Sequence, residues 1–271
     1  APRYSVARNG KVVMPAGFLG MRFQLQPAFD DGFRVAGTST SVHDATWEQP
    51  WGERRFVRDH HRELRVTLRG TTGVRIDVVV RCFDDALAFR YEVPEQEGRR
   101  ELRLADEGTT FEIAGAPTAY VQVLAHHKTS HEHPITVVPA AAIERGKLLD
   151  LPLTLAWQNG TVAAITEAAL RRYAGMSLVR DESGALVCAL APRADGIKVI
   201  CALPMRSPWR VVLIGVRPGA LLESNTLHCL NDPPEVTDTA WIKPGKLTWP
   251  WWNGYLFEAE PTEPILSQAM S

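Results

Sequence analysis

The chain has 271 residues, of which 45% are hydrophobic and 23% are charged, values that are ordinary for a globular protein. Its 30 Lys and Arg residues are balanced by 31 Asp and Glu residues, which gives a formal net charge of -1. Because nucleic acids and anionic membranes bind to basic protein surfaces, this balance argues against both classes of partner. No apolar run approaches the ~20 residues that a helix needs to cross a bilayer.

Alternation of apolar and polar residues predicts antiparallel strands in the first third of the chain. The alternation is clearest in residues 64–68, 74–80 and 86–93, where β-branched and aromatic side chains are common. Helical periodicity is scarce, and we expect only a turn or two within 140–147 and within 167–173. Short strands separated by Gly and Pro predict an all-β fold of the antiparallel sandwich type.

Two Gly-containing turns further along the chain predict β-hairpins. Ser183-Gly184 and Asp195-Gly196 each separate two apolar, strand-like runs. The second hairpin would place Cys188 opposite Cys201, either as a disulfide or as two buried thiols. The thiols are favoured because a free Cys behaves as a small core hydrophobe. The chain's four Cys residues include no CxxC pair, so neither a zinc site nor a disulfide-stapled fold is predicted.

The most unusual feature of the sequence is a dense group of Trp residues near its end. Trp249, Trp251 and Trp252 are followed directly by Asn253 and Gly254. Trp offers a flat apolar plane with an N–H at its edge, which suits the C–H face of a sugar ring. A corner of the hydrophobic core would also account for the group. On these residues alone, the sugar-binding and the core interpretations therefore both stand.

Four blocks of the chain, in order, carry a resemblance to a known family. The first three are WEQPWGERRFVRDHHREL (47–64), FDDALAFRYEVP (83–94) and ITEAALRRYAGMSL (165–178). The fourth (207–254) begins with SPWRVVLIG and includes ESN, DTAWIKPGK and WPWWNG. Together they resemble glycoside hydrolase family 97, the bacterial family of α-glucosidases and α-galactosidases. Four collinear blocks that cover nearly the whole chain are a specific signal.

The resemblance implies a large antiparallel β-super-sandwich over residues 1–240, followed in 241–271 by a linker and the first strand of a truncated (β/α)8 barrel. In that family the barrel carries the catalytic carboxyl groups. The implied catalytic residues therefore lie beyond residue 271, and the 271-residue chain is expected to be inactive by itself. The longer protein would hydrolyse α-glucosidic or α-galactosidic bonds. Its substrate would be an oligosaccharide, the partner of this chain would be its own C-terminal catalytic barrel, and its location would be periplasmic or secreted.

The resemblance also implies particular site residues. Trp251, Trp252 and Asn253 fall on the first barrel strand and would border the sugar pocket, although Pro250 replaces the acidic residue that the family has before the Trp pair. Glu167, in the ITEA block, would be one ligand of an active-site Ca²⁺. Calcium takes six to eight oxygen ligands, so the others would come from the barrel, and Glu167 would be an exposed carboxylate in this chain. Without the resemblance, Glu167 is more simply a residue at a helix N-terminus.

The His-rich segment 126–133 and the role of the whole chain each have alternatives. His131 and His133 are two residues apart and would share one face of a strand. A transition-metal site with His126 or Glu132, a polar rim of the sugar cleft and a solvated loop all fit this spacing, and the solvated loop is favoured. For the whole chain, the alternative is a stand-alone carbohydrate-binding β-sandwich module without catalysis. A scaffold sandwich without a ligand is the third possibility.

Overall fold

The computed structural model describes residues 2–24, 28–29, 32–71 and 73–247. Within them the chain forms nineteen strands followed by two short helices. The strands are β1 (Arg3–Arg8), β2 (Lys11–Phe18), β3 (Met21–Phe23), β4 (Phe33–Glu48), β5 (Phe56–Gly70), β6 (Arg75–Cys82), β7 (Ala86–Val93), β8 (Glu101–Glu107), β9 (Thr110–Phe111), β10 (Thr118–Leu124), β11 (Ile135–Pro139), β12 (Leu148–Leu149), β13 (Leu153–Ala156), β14 (Val162–Ala168), β15 (Met176–Arg180), β16 (Leu186–Leu190), β17 (Val199–Ala202), β18 (Met205–Arg206) and β19 (Trp209–Gly215). The helices are α1 (Pro218–Leu222) and α2 (Thr226–Cys229), and a 3-10 turn covers Ala140–Ala142.

The described strands form three antiparallel sheets. β1 and β2 make a two-stranded ribbon, and β17, β8 and β3 make a three-stranded sheet. The large sheet has the order β4-β5-β6-β7-β19-β14-β13-β10-β12-β15-β16-β9, with β11 paired to β10 and β18 paired to β7. The all-β, antiparallel prediction is therefore confirmed. The predicted strands at 64–68 and 86–93 lie within β5 and β7, and the one at 74–80 lies within one residue of β6.

One hydrophobic cluster combines buried side chains from all three sheets, and β19 contributes to both faces of the large sheet. All seven residues of β19 are buried, as expected for a continuous apolar strand between two neighbours, here β7 and β14. Val212 and Ile214 belong to the main cluster. Trp209 and Val211, which alternate with them, belong to a smaller cluster on the opposite face that also includes Leu230. Alternate side chains of β19 therefore pack into the main cluster on one face of the large sheet and into the smaller cluster on the other.

The two predicted hairpins have different outcomes. Ser183-Gly184 joins β15 to β16, which pair antiparallel, so that prediction is confirmed. The Asp195-Gly196 prediction is wrong. The turn itself forms, since the Gly196 N–H donates to the Arg193 carbonyl, but β16 pairs with β15 and β9 whereas β17 pairs with β8. A turn motif is a local signal, and here burial against β8 decides the pairing instead.

As a result, Cys188 and Cys201 do not face each other. Cys188 lies opposite Leu178, and Cys201 lies opposite Leu102 of β8. All four cysteines are free thiols. The thiol alternative is therefore the correct one, although Cys201 is only partly buried.

The expected helix at 167–173 is also wrong. Glu167 lies on β14 in register with Arg210 of β19, and the following residues are irregular, with positive φ angles at Ala169 and Arg172. Backbone pairing with β13 on one side and β19 on the other decides in favour of a strand. The expectation at 140–147 is met only by the 3-10 turn Ala140–Ala142.

The contacts of the chain divide it into two units, residues 1–232 and 233–271. All strands and helices named above belong to the first unit. In the second unit the described residues, 233–247, form neither strand nor helix. The domain boundary predicted at residue 240 stays a prediction. Neither described α-helix has the length and apolar character that a bilayer crossing requires.

Candidate functional site

The sheets bring three charged side chains together at one end of the main core. Glu107 is the last residue of β8, Glu167 lies near the end of β14, and Arg210 is the second residue of β19. Arg210 is directly opposite Glu167 in the β14–β19 pair. Val212 and Ile214, two and four residues beyond Arg210, lie in the main core, so the alternation of β19 turns Arg210 towards the same face.

Arg210 binds both carboxylates with its planar guanidinium group. Its Nε donates to Glu107 Oε1 at 2.8 Å, and its Nη2 donates to Glu107 Oε2 at 2.6 Å. Its Nη1 donates to Glu167 Oε2 at 2.6 Å. The side chains of Arg210 and Glu107 are both 0% exposed, so this is a fully buried, bidentate ion pair.

Further hydrogen bonds surround Glu107. Thr109 Oγ1 donates to Glu107 Oε1 at 2.8 Å, and the Tyr173 hydroxyl donates to Glu107 Oε2 at 3.1 Å. The Tyr91 hydroxyl is 2.7 Å from Thr109 Oγ1 and accepts the Gly20 N–H at 3.1 Å. The buried charges are thus held by groups from several strands and loops, an arrangement that fixes a single local geometry.

The two carboxylates have opposite pKa shifts. Burial would raise the pKa of Glu107, but the charge and hydrogen bonds of Arg210 outweigh it and hold that pKa below its ordinary value of 4.5. For Glu167, burial dominates and raises the pKa, while Arg210 and the Met176 N–H, which donates to Oε1 at 3.0 Å, oppose the shift only in part. One arginine therefore faces two carboxylates, and Glu167 is the one whose charged form is disfavoured.

Glu167 is also the member of this cluster that reaches the surface. Its side chain is 13% exposed, against 0% for Arg210. The expectation of an exposed carboxylate is therefore wrong, since Glu167 is largely buried and paired with Arg210. The helix N-terminus alternative is wrong as well, because the residue lies on a strand.

The chemistry of Glu167 fits one ligand of a hard cation. Each of its oxygens accepts one hydrogen bond, from Met176 or from Arg210, and each keeps a second lone pair. The three-residue cluster carries an excess of one negative charge. Among the described residues, however, no group of three or more His, Cys, Asp or Glu side chains is placed to hold a metal. The described residues thus fit the contribution of a single ligand and not a complete cage. The metal role of Glu167 stays a prediction.

The other predicted site residues lie elsewhere. Trp251, Trp252 and Asn253, together with Trp249, fall outside the described residues. In the His-rich segment, residues 126–133 form no strand. His131 Nδ1 lies 2.8 Å from Asp150 Oδ2, and the His133 carbonyl accepts a hydrogen bond from Gln122 Nε2. The expectation of a shared strand face was therefore wrong. His133 is hydrogen-bonded to β10, and His131 contacts Asp150, the residue after β12.

Sequence reasoning missed Arg210, Glu107 and Tyr173. Arg210 interrupts the apolar run WRVVLIG, and a charged residue in a buried strand requires a buried partner. That requirement was a usable signal that some carboxylate had to meet β19. Nothing in the local sequence identifies the partner as Glu107, which lies 103 positions away.

Comparison with known proteins finds a family that matches most of the chain. Residues 1–233 match the family described as "Glycosyl-hydrolase 97 N-terminal". The chain is 22% identical over 281 residues to a retaining alpha-galactosidase of Bacteroides thetaiotaomicron, a match that covers 93% of this chain and 41% of that protein. It is 28% identical over 250 residues to a probable retaining alpha-galactosidase of Streptomyces bingchenggensis, with 92% and 37% covered. The chain thus spans well under half the length of these relatives.

Similarity to solved structures indicates the same family. The chain is similar to a variant of a glycoside hydrolase family 97 enzyme from a Pseudoalteromonas species, with a TM-score of 0.84 and 30% identity over 90% of this chain and 37% of that one. The same enzyme in complex with acarbose gives a TM-score of 0.83. A beta-arabinopyranosidase shares the fold, with a TM-score of 0.75 and 24% identity over 83% of this chain and 38% of that one.

Proposed function

Because the chain belongs to the glycosyl-hydrolase 97 N-terminal family, we propose that it is the N-terminal β-domain of a glycoside hydrolase that cleaves α-glucosidic or α-galactosidic bonds. Its substrate is an oligosaccharide, and the reacting carboxyl groups belong to a catalytic barrel later in the same polypeptide. Support comes from the relatives, which are named as alpha-galactosidases and of which this chain spans 41% and 37%. Action in the periplasm or outside the cell is part of the same proposal.

The second part of the proposal is that the β-domain supports the barrel and lends Glu167 to a calcium site. The observation that carries it is the Glu107–Arg210–Glu167 cluster, in which two carboxylates share one arginine and Glu167 is the partly exposed one. A bound Ca²⁺ supplies a fixed positive charge that accepts oxygen ligands from protein and sugar alike. In this chain, Arg210 and the Met176 N–H orient the Glu167 carboxylate, so that little conformational entropy is lost when it binds a cation.

The calcium part is tested by measuring Ca²⁺ affinity of the full-length gene product by calorimetry, with and without Glu167→Gln. We expect the substitution to weaken binding at least tenfold. Glu63→Gln is the matched control, since Glu63 is also a strand carboxylate paired with an arginine, with 19% of its side chain exposed. Equal affinity in wild type and Glu167→Gln would remove Glu167 from the metal site.

The enzymatic part is tested separately, by hydrolysis of α-glucosides and α-galactosides. The full-length product is expected to cleave one of these classes, and the 271-residue chain is expected to cleave neither. Activity in the 271-residue chain would contradict the placement of the catalytic groups. Inactivity of the full-length product on both classes, with saccharide binding intact, would favour the alternative of a carbohydrate-binding module.

A further inference from the structure

A groove of about 500 Å³ lies on the face of the large sheet opposite the Glu107–Arg210–Glu167 cluster. Its floor is formed by Tyr120 of β10 and Thr154 of β13, which are directly opposite each other in the ladder. Ala119 and Val121 are buried at 0% and 3% exposure, whereas Tyr120 is 41% exposed. The alternation of β10 therefore turns the tyrosine ring outwards, into the groove.

The walls of the groove are apolar. Pro218, the first residue of α1, lines one part, and Pro152 and Ile135 line others. Ile135 is 59% exposed and lies opposite Gln122 in the β10–β11 pair. The result is an open channel with one aromatic plane and aliphatic sides, a common composition for small-molecule sites of this volume.

The polar side chains of the groove include two that hydrogen bonds hold in place. Asp150 Oδ1 accepts the Leu151 N–H at 2.9 Å, and Oδ2 lies 2.8 Å from His131 Nδ1. Gln122 Nε2 donates to the His133 carbonyl at 2.6 Å. Each oxygen of Asp150 keeps a further lone pair, and Gln122 keeps its amide oxygen as an acceptor and a second N–H as a donor. These groups are fixed before any ligand arrives, which lowers the entropy cost of binding.

The charge of the lining restricts the ligand. Among the described residues that line the groove there is no Lys or Arg, and the single charged side chain is Asp150. An anionic ligand would therefore meet a carboxylate and no cation. A purely apolar ligand would leave Asp150 and Gln122 desolvated without a partner. A neutral polyhydroxylated ring satisfies both conditions, because it has a C–H face for Tyr120 and hydroxyl groups for the polar side chains.

We propose that this groove is a saccharide-binding site, in which a neutral pyranose stacks on Tyr120 and its hydroxyl groups bind Asp150 and Gln122. The choice of a sugar rests on the proposed function, since the longer protein would act on oligosaccharides. The site would hold a polymeric or branched substrate on the β-domain while one of its bonds is cleaved.

The test uses the 271-residue chain with maltotriose and melibiose as probes, followed by calorimetry and by amide NMR shifts. We expect saturable binding with a millimolar or lower Kd and shifts centred on β10, β11 and β13. Tyr120→Ala should weaken binding at least tenfold, and Ile135→Glu, which replaces an apolar wall residue with a charged one, should do the same. Phe56→Ala is the control, since Phe56 is 60% exposed on β5 and does not line the groove.

Three results would overturn the inference: no binding of either sugar, binding that Tyr120→Ala and Ile135→Glu leave unchanged, or capture of apolar peptides in place of sugars. Hydrolysis by the full-length product separates this inference from the proposed function. A full-length enzyme that cleaves its glycoside, with a 271-residue chain that binds no sugar, would refute the groove alone. Groove binding without any hydrolysis by the full-length product would refute the enzymatic proposal instead.

Discussion

Replacement of Arg210 by Met should be among the most damaging single changes in the chain. Arg210 and Glu107 are 0% exposed, and Arg210 also binds Glu167, so the change leaves two largely buried carboxylates without a cation. Methionine replaces the aliphatic part of the arginine side chain and carries no charge, which limits the loss of packing. The effect should therefore come mainly from the uncompensated negative charges.

The size of the effect follows from the electrostatics of the cluster. Opposite unit charges about 4 Å apart attract by about 4 kcal/mol at an effective dielectric constant near 20. Removal of one partner from a buried pair costs about 3–5 kcal/mol, because the other charge stays buried. We expect Arg210→Met to lower the free energy of unfolding by about 3–5 kcal/mol, a large share of the roughly 5–15 kcal/mol typical of a whole domain.

The assay is urea denaturation of the 271-residue chain, followed by Trp fluorescence at several pH values. Glu107 has a lowered pKa in the folded wild type, so its contribution to stability is present above the unfolded value of 4.5 and is lost as the pH falls through the lowered value. In Arg210→Met this source of stability is gone, and acid neutralises the unpaired carboxylates. The penalty should therefore be largest at neutral pH and should shrink towards pH 4.

The double variant Arg210→Met with Glu107→Gln removes most of the buried charge and should recover part of the loss. If Arg210→Met alone does not fold, Arg210→Lys, which keeps the charge but not the bidentate geometry, provides an intermediate case. A loss below about 1 kcal/mol for Arg210→Met, or losses that simply add in the double variant, would show that the ion pair does not hold the core in this way.

Three other predictions concern the same chain. Glu167 has a raised pKa in the folded state, so its contribution favours folding below pH 4.5 and is lost as the pH rises through the raised value. Glu167→Gln should remove that part of the pH dependence of stability. An unchanged stability profile between pH 4 and 7 would contradict this prediction. In native protein at pH 8, a thiol reagent should modify Cys82 alone and slowly. Cys188 is buried, and burial raises the pKa of Cys201 and Cys229 to about 11. Two or more fast-reacting thiols would be incompatible with this structure. Gly17→Ala should lower the free energy of unfolding by about 1–3 kcal/mol in urea denaturation, because the new Cβ would press into the Tyr4 ring and lie 2.5 Å from the Thr110 carbonyl oxygen. Gly37→Ala, which has open space around the new Cβ, is the control. Equal stability of the two variants would refute the close approach.

The sequence predicted the fold class well because strand periodicity is a local property. Residues 86–93 alternate in the sequence and lie on β7 in the structure, and the run RVVLIG forms most of the fully buried strand β19. Pairing between distant strands is a different matter. The Asp195-Gly196 turn is present, yet β17 pairs with β8 and not with β16. Val199 and Cys201 lie opposite Leu104 and Leu102, a pairing that depends on the whole fold and not on the turn.

The candidate site was predicted only in part. The family resemblance singled out Glu167, whereas the residues alone suggested a helix terminus. Its partner Arg210 is 43 positions away, and Glu107 is 103 positions from Arg210. No local pattern connects such residues. What the sequence did offer was a charged residue inside an apolar strand, which requires a counter-charge without saying where it is.

The strand β4 has a consequence for handling this chain alone. It is 16 residues long, it stands at one end of the strand order of the large sheet, and all of its residues after Phe33 are exposed. Backbone amide and carbonyl groups along such a border can accept an additional strand from another molecule. Concentrated solutions of the 271-residue chain should accordingly oligomerise by sheet extension.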